Sequence, residues 1–297
     1  MGVQRQVKLR YSKQPGRSSA LRSIPNGAKE RPVVGSNERI YESTKLAALF
    51  DILVEQDCPA DEILRDVNLT VDEVHSPKSR ISLAELMTVC KNAIRLSSDP
   101  HLPYRIGTSI HISAYGMYGF AILCCPDFRK AMAFAELYHA LAAPLTTIEF
   151  TEKQGSASWV IEPNARAVTD PQVYRFITEM QIGIHISLMR DIMGAAFAPD
   201  QVSLAYSETD DFALPADLIG CRVNFASEIN RIAFRSSWLD QPARLGNKTT
   251  YPMIVALCDD LLTELKLRVG IAGEIRALLL RDITSPPTSP PLQSTFR

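Results

Sequence analysis

The sequence predicts an α+β domain: a helical N-terminal part, an antiparallel sheet packed on a long central helix, and a helical C-terminal part. Three observations carry this. From Ser43 to Tyr138 apolar residues recur at three- and four-residue spacing, the period of a helix. From Leu145 the pattern changes to short runs rich in Thr, Ile, Phe, Trp and Val around Gln154-Gly155-Ser156. Asp170-Pro171 then opens the longest helical run, which is apolar on two stripes.

In chain order, Leu46, Leu49, Phe50 and Leu53 form one helical face, and Pro59 stops it. A short helix is expected over Ala60–Val67. Ser82-Leu-Ala-Glu85 is a capping-box sequence that opens a helix through Leu86, Val89, Cys90 and Ile94 to about Leu96. Asp99-Pro100 closes that element. Asp127 can cap a helix whose face is Phe128, Ala131, Met132, Ala135 and Tyr138, closed by Pro144.

Leu145–Glu152 and Ser158–Glu162 read as a hairpin. In the long helix Asp170 is the N-cap and Pro171 the first helical residue. One stripe is Val173, Ile177, Met180, Ile184 and Leu188, the other Ile182, Ile186, Met189 and Met193, and Gly194 ends the run. Apolar on two faces, this helix is buried on two sides. Val202–Tyr206 is a strand, and Arg222–Phe225 with Arg231–Phe234 suggests a second hairpin. Two helices finish the fold, one over Tyr251–Leu267 with Ile254, Leu257, Leu261 and Leu265 inward, and one over Ile271–Leu280.

The chain has 297 residues and a net charge of −1. Charge divides it unevenly. Residues 1–37 hold eight basic residues against Glu30 alone, a net +7, and the remainder nets −8. That leader lacks apolar periodicity and is expected to be disordered, as a transit-type segment, a dispensable tail or residues upstream of the true start codon. Residues 38–283 are expected to form one folded domain, and 284–297 a Pro/Ser-rich, extended tail.

The longest uncharged stretch, Ile106–Pro126, contains His111, three Gly and three Ser or Thr, which reads as a buried helix or turn-helix rather than a membrane span. No apolar signal segment opens the chain. The six cysteines fall at no metal-ligand spacing and read as reduced core thiols of a cytoplasmic protein.

A catalytic site is not evident. There is no nucleophile elbow, phosphate-cradling glycine loop, dinucleotide fingerprint or H-E-x-x-H motif, so no enzyme, cofactor or metal is expected. Gly116-Met-Tyr-Gly119 reads as a packing or turn device. The two helices between Lys45 and Val74 are acidic, and phosphates would repel such a surface, which excludes a DNA-recognition helix there. His139 near a helix end is placed to favour the dipole as a cation. His185, between the stripes of the long helix, reads either as a hydrogen-bonded core residue or as a ligand contact.

The polar residues on otherwise apolar elements are His111, Tyr115, Tyr118 and His185, with Trp159 as a wall. These are the candidate ligand-binding residues. They are expected in a pocket enclosed by hairpin Leu145–Glu162 and the helix after Asp170.

Several segments carry a family resemblance. They are Ile110-His-Ile-Ser-Ala-Tyr-Gly-Met-Tyr-Gly-Phe-Ala121, Pro126-Asp-Phe-Arg-Lys-Ala-Met132, Cys221-Arg-Val-Asn-Phe225, Asn230-Arg-Ile-Ala-Phe234 and Trp238-Leu-Asp-Gln-Pro242, then Cys258-Asp-Asp-Leu-Leu262 and Gly273-Glu-Ile-Arg-Ala-Leu-Leu279. Over roughly residues 43–282 their order resembles the sensor half of AraC-type transcription regulators, the branch whose N-terminal domain is described as arabinose-binding. The resemblance implies a small-molecule effector and a homodimer.

In that family a helix-turn-helix domain follows. Here fifteen residues follow Asp282, four of them proline, so specific DNA binding is not expected of this chain. The alternatives are a free-standing interaction protein that dimerises with full-length relatives, or a haem- or gas-binding sensor, since the element order also resembles haem-nitric-oxide-binding domains.

Overall fold

The computed structural model describes residues 37–164, 170–208 and 219–266. The leader before Asn37, the Ile271–Leu280 helix and the tail from 284 lie outside them. The order begins β1 (Tyr41–Glu42), α1 (Thr44–Glu55), α2 (Ala60–Ile63), α3 (Val71–Val74), β2 (Arg80–Ile81) and α4 (Leu83–Leu96), with β1 and β2 paired antiparallel. α1 buries Leu46, Leu49, Phe50 and Leu53 as the spacing requires. α2 is shorter than expected: Leu64 already caps it, and Asp66 turns left-handed at φ 62°, which no helix continues. The capping box of α4 is present, Ser82 Oγ accepting from the Glu85 N–H at 3.1 Å and Glu85 Oε2 accepting from the Ser82 N–H at 2.9 Å.

The uncharged stretch is not one span. It folds as the end of α5 (Leu102–Ser109), a 3-10 turn (Ile112–Tyr115) and α6 (Gly116–Cys124). Among the described residues no helix is long and apolar enough to cross a membrane. α7 (Phe128–Leu137) starts at Asp127, whose Oδ1 accepts from the Lys130 N–H at 2.8 Å, and a 3-10 turn (His139–Ala142) follows.

β3 (Thr146–Lys153) and β4 (Ser156–Pro163) form the expected hairpin, with Gln154 at φ 49° and Gly155 at φ 83° in the turn. Two successive positive φ values match the right-handed twist of the strands. α8 (Pro171–Met193) has Asp170 as its cap and ends at Gly194, φ 97°. It packs against β3 and β4 and also against α4 and α5, which is why both of its stripes are apolar.

The remaining elements are β5 (Gln201–Ser203), β6 (Arg222–Asn224), β7 (Arg231–Arg235) and a helix, α9, over 250–266. The sheet order is β3-β4-β7-β5-β6. β6 and β7 therefore do not form a hairpin: β5 lies between them, antiparallel to β7 and parallel to β6, so one pairing of the otherwise antiparallel sheet is parallel. Asn230, fully buried, braces this arrangement. Its Oδ1 accepts from the Ala205 N–H at 2.9 Å and its Nδ2 donates to the Tyr174 hydroxyl at 2.7 Å, tying the start of β7 to the chain leaving β5.

α9 also departs from expectation. Ile254, Cys258 and Leu262 are buried, Leu265 is partly buried, and Leu257 and Leu261 face outward with Met253. Cys258 packs over α6, its thiol 3.6 Å from the Met117 carbonyl, and Tyr138 donates to the Asp259 carboxylate, so this register is set by tertiary contacts. All six cysteines are free thiols.

Candidate functional site

Where α8 passes the hairpin, α1, α6 and α7 close around a cavity of about 40 Å³. Trp159 of β4 and Ile148 of β3 form the sheet side. Gln181, Ile184, His185, Leu188, Met189 and Ile192 form the α8 side, a helical repeat that turns one face inward. Tyr115, Tyr118, Met132, His139 and Lys45, with Ile122, Ala135 and Ala142, complete the lining.

Four of the five expected residues, Tyr115, Tyr118, Trp159 and His185, thus meet around one space. His111 does not. The 3-10 turn brings Ile112 and Tyr115 to its inner face, since residues three apart eclipse in such a turn, and His111 precedes it pointing outward. Its exposed ring lies 3.1 Å from the Asp191 carboxylate.

The lining residues differ in how well they are satisfied. Tyr118 donates to the Ala135 carbonyl at 3.1 Å, whereas the Tyr115 hydroxyl is buried with no hydrogen-bond partner. His185 packs edge-on to Trp159 with centroids 5.3 Å apart, and its Nδ1 lies 2.9 Å from the Gln181 carbonyl. Nδ1 also lies 3.0 Å from the Gln181 side-chain Nε2, so it either donates to the carbonyl or accepts from the amide, and the His185 Nε2 takes the complementary role.

Burial pushes His185 down to about 4, and His139, whose Nε2 lies 3.1 Å from the Thr146 carbonyl, down to about 3. His139 is therefore neutral near pH 7 rather than the helix-end cation its position suggested. Desolvation outweighs the dipole.

Lys45 was not among the expected site residues. It is 3% exposed, its Nζ donates to the Ala143 carbonyl at 3.0 Å and stands 6.0 Å from the Tyr115 ring centroid. Burial pushes the ammonium down to about 7. The signal was present in the sequence: Lys45 occupies the same four-residue stripe as Leu49 and Leu53, the inward face of α1.

A larger hollow of about 270 Å³ lies between α4, α5 and the first turns of α8. Its charged groups already have partners of opposite sign or donors. Glu179 accepts from the Tyr206 hydroxyl at 2.8 Å with Arg175 3.8 Å away, and Asp99 pairs with Arg105 at 2.6 Å. In the smaller cavity the Tyr115 hydroxyl is buried without a hydrogen-bond partner.

At about 40 Å³ that cavity is far below the 300–1,000 Å³ of pockets for drug-sized ligands.

Comparison with known proteins agrees with this architecture. The family described as the arabinose-binding domain of AraC transcription regulators, N-terminal, matches residues 58–243. The ornithine utilization regulator of Pseudomonas aeruginosa is 24% identical over 236 residues, covering 78% of this chain and 68% of that protein. An uncharacterized HTH-type transcriptional regulator of Mycobacterium tuberculosis is 24% identical over 240 residues, covering 79% and 69%.

In fold, the chain resembles the crystal structure of the transcriptional regulator CdpR from Pseudomonas aeruginosa, with a TM-score of 0.59, 14% identity, and coverage of 82% of this chain and 72% of that one. These relatives are regulators, not enzymes. With the domain match spanning well over half its length, the chain belongs to the AraC-type transcription regulators through its arabinose-binding N-terminal domain.

Proposed function

We propose that this chain is the effector-binding and dimerisation module of an AraC-type regulator, and that its effector occupies the cavity between α8 and the hairpin. One observation carries the reading: Lys45, Tyr115 and His185 line one mostly apolar cavity, in which the Tyr115 hydroxyl has no partner and Lys45 has a single acceptor among the described residues. A relative named for ornithine utilization fits a family that answers small metabolites. Homodimerisation is supported by α9, whose exposed Met253, Leu257 and Leu261 recur every four residues on one outer face.

The test is a metabolite screen by thermal shift and by fluorescence of Trp159 in a Trp238→Phe background. A true effector raises Tm and changes Trp159 emission, and His185→Leu, which keeps the bulk but removes both ring nitrogens, folds and loses both responses. A variant whose responses match the parent places the effector elsewhere.

A further inference from the structure

We propose that the Lys45 cavity is a binding site for a short monocarboxylate, its carboxylate seated between the Lys45 ammonium and the Tyr115 hydroxyl and its alkyl group among Ile184, Met189 and Ile192. The inference names the ligand class of the sensor reading above and rests on it.

The argument starts from unmet bonding. Lys45 has three N–H donors and, among the described residues, one acceptor, the Ala143 carbonyl at 3.0 Å. No carboxylate among the described residues forms an ion pair with it. Lys45 is also the second residue of α1, the end at which the helix already carries positive partial charge. Tyr115 adds a buried hydroxyl with no partner. A buried cation without a counter-charge and a buried donor without an acceptor are each destabilising by a recognised mechanism. One carboxylate, with two oxygens and one negative charge, satisfies both at once.

The other groups facing this point do not compete. Cys90 of α4 is held as the neutral thiol, pushed up to about 12 by burial, and His139 and His185 are held neutral. Tyr118 spends its hydroxyl on Ala135. The cavity thus gathers basic nitrogens and no acid, which disfavours an amine or a divalent cation. A neutral alcohol or amide can accept a hydrogen bond but leaves the charge of Lys45 uncompensated.

Size narrows the class further. The cavity of about 40 Å³ corresponds to roughly three water-sized volumes, about the size of acetate, so propionate and butyrate test how far the lining gives.

The pH behaviour follows from the burial of Lys45. With the free ammonium at about 7, carboxylate binding above that pH draws a proton onto Lys45, and binding weakens as pH rises.

The experiment uses the full chain, with sodium propionate and propionamide as isosteric probes at ionic strength matched with sodium chloride. Acetate and butyrate bracket the size. Propionate is expected to raise Tm and to bind in calorimetry with proton uptake approaching one per site at pH 8, while propionamide does neither. Tyr115→Phe weakens propionate binding by about tenfold or more, the usual loss for a hydrogen bond to a charged group. Lys45→Met, similar in length, keeps the far-UV circular dichroism spectrum and loses the propionate shift.

If Lys45→Met fails to fold, the propionate–propionamide contrast and Tyr115→Phe decide alone. Equal shifts from propionate and propionamide, or an undiminished propionate shift in folded Lys45→Met, overturn the carboxylate assignment and leave the sensor reading standing. Silence from all three carboxylates overturns it too, whereas the metabolite screen alone decides whether the cavity senses anything.

Discussion

Gly183 of α8 lies so close to α5 that a β-carbon built on it would stand 2.6 Å from the Tyr104 carbonyl oxygen and 3.0 Å from the Cα of Gly107. Gly107 is equally confined by the backbone of α8. The two helices meet backbone to backbone, and this contact sets the depth at which α8 presents the next two residues, Ile184 and His185, to the cavity.

Gly183→Ala is therefore expected to force the helices apart, an overpacking change of about 1–3 kcal/mol. In a domain of this size that corresponds to a fall in Tm of several degrees. Differential scanning calorimetry reads it directly. A Tm equal to that of the parent would show that the α5–α8 contact yields without strain.

Glu179 makes stability depend on pH in an unusual direction. Burial raises its carboxyl to about 7, against the opposing pull of the Tyr206 hydrogen bond and the Arg175 charge. Below pH 4.5 the group is protonated folded and unfolded, so its contribution is full. Between about 4.5 and 7 the unfolded chain ionises while the folded one does not, and stability falls with rising pH by up to about 3 kcal/mol. Glu179→Gln removes that slope. Urea titrations at pH 5 and pH 7.5 should show the variant gaining on the parent at the higher pH, and a constant difference would refute the assignment.

His185 and His139 act with the opposite sign. Both are held below their ordinary value by burial, at about 4 and about 3. As pH falls below 6.5 the unfolded chain takes up protons that the folded chain refuses, so stability is lost toward pH 4, by up to about 3 kcal/mol for His185. His185→Gln should flatten this acid limb in chemical denaturation. An acid limb of unchanged steepness would mean that His185 protonates freely in the fold.

The outer face of α9 offers a separate test of the proposed homodimer. Replacing Leu257 and Leu261 together by Glu puts charge on positions 50% and 41% exposed, where surface substitutions usually change fold stability by less than about 0.5 kcal/mol. Light scattering coupled to size exclusion should show the parent as a dimer and the double variant as a monomer with nearly the same Tm. A dimer that survives both charges does not use this face.

Local structure was legible from residue order alone because its causes are local. The apolar stripe of α1, the capping box Ser82–Glu85, the Asp127 and Asp170 caps, the Gln154-Gly155 turn and the doubly apolar α8 each follow from a few neighbouring residues.

What the residue order left open is which surfaces meet. The β6–β7 hairpin suggested by spacing is replaced by a β5 insertion, an arrangement in which the buried Asn230 side chain ties the start of β7 to Ala205 after β5 and to Tyr174 of α8. In α9 two apolar faces have nearly the same period, and only contact with α6 and α7 selects Ile254, Cys258 and Leu262 over Leu257 and Leu261. His111 and Lys45 exchange roles for the same reason. Periodicity is a property of the chain, whereas the burial of one charge rather than another depends on non-local packing, and Lys45 became part of the site only when Ala143, 98 residues away, offered it a carbonyl.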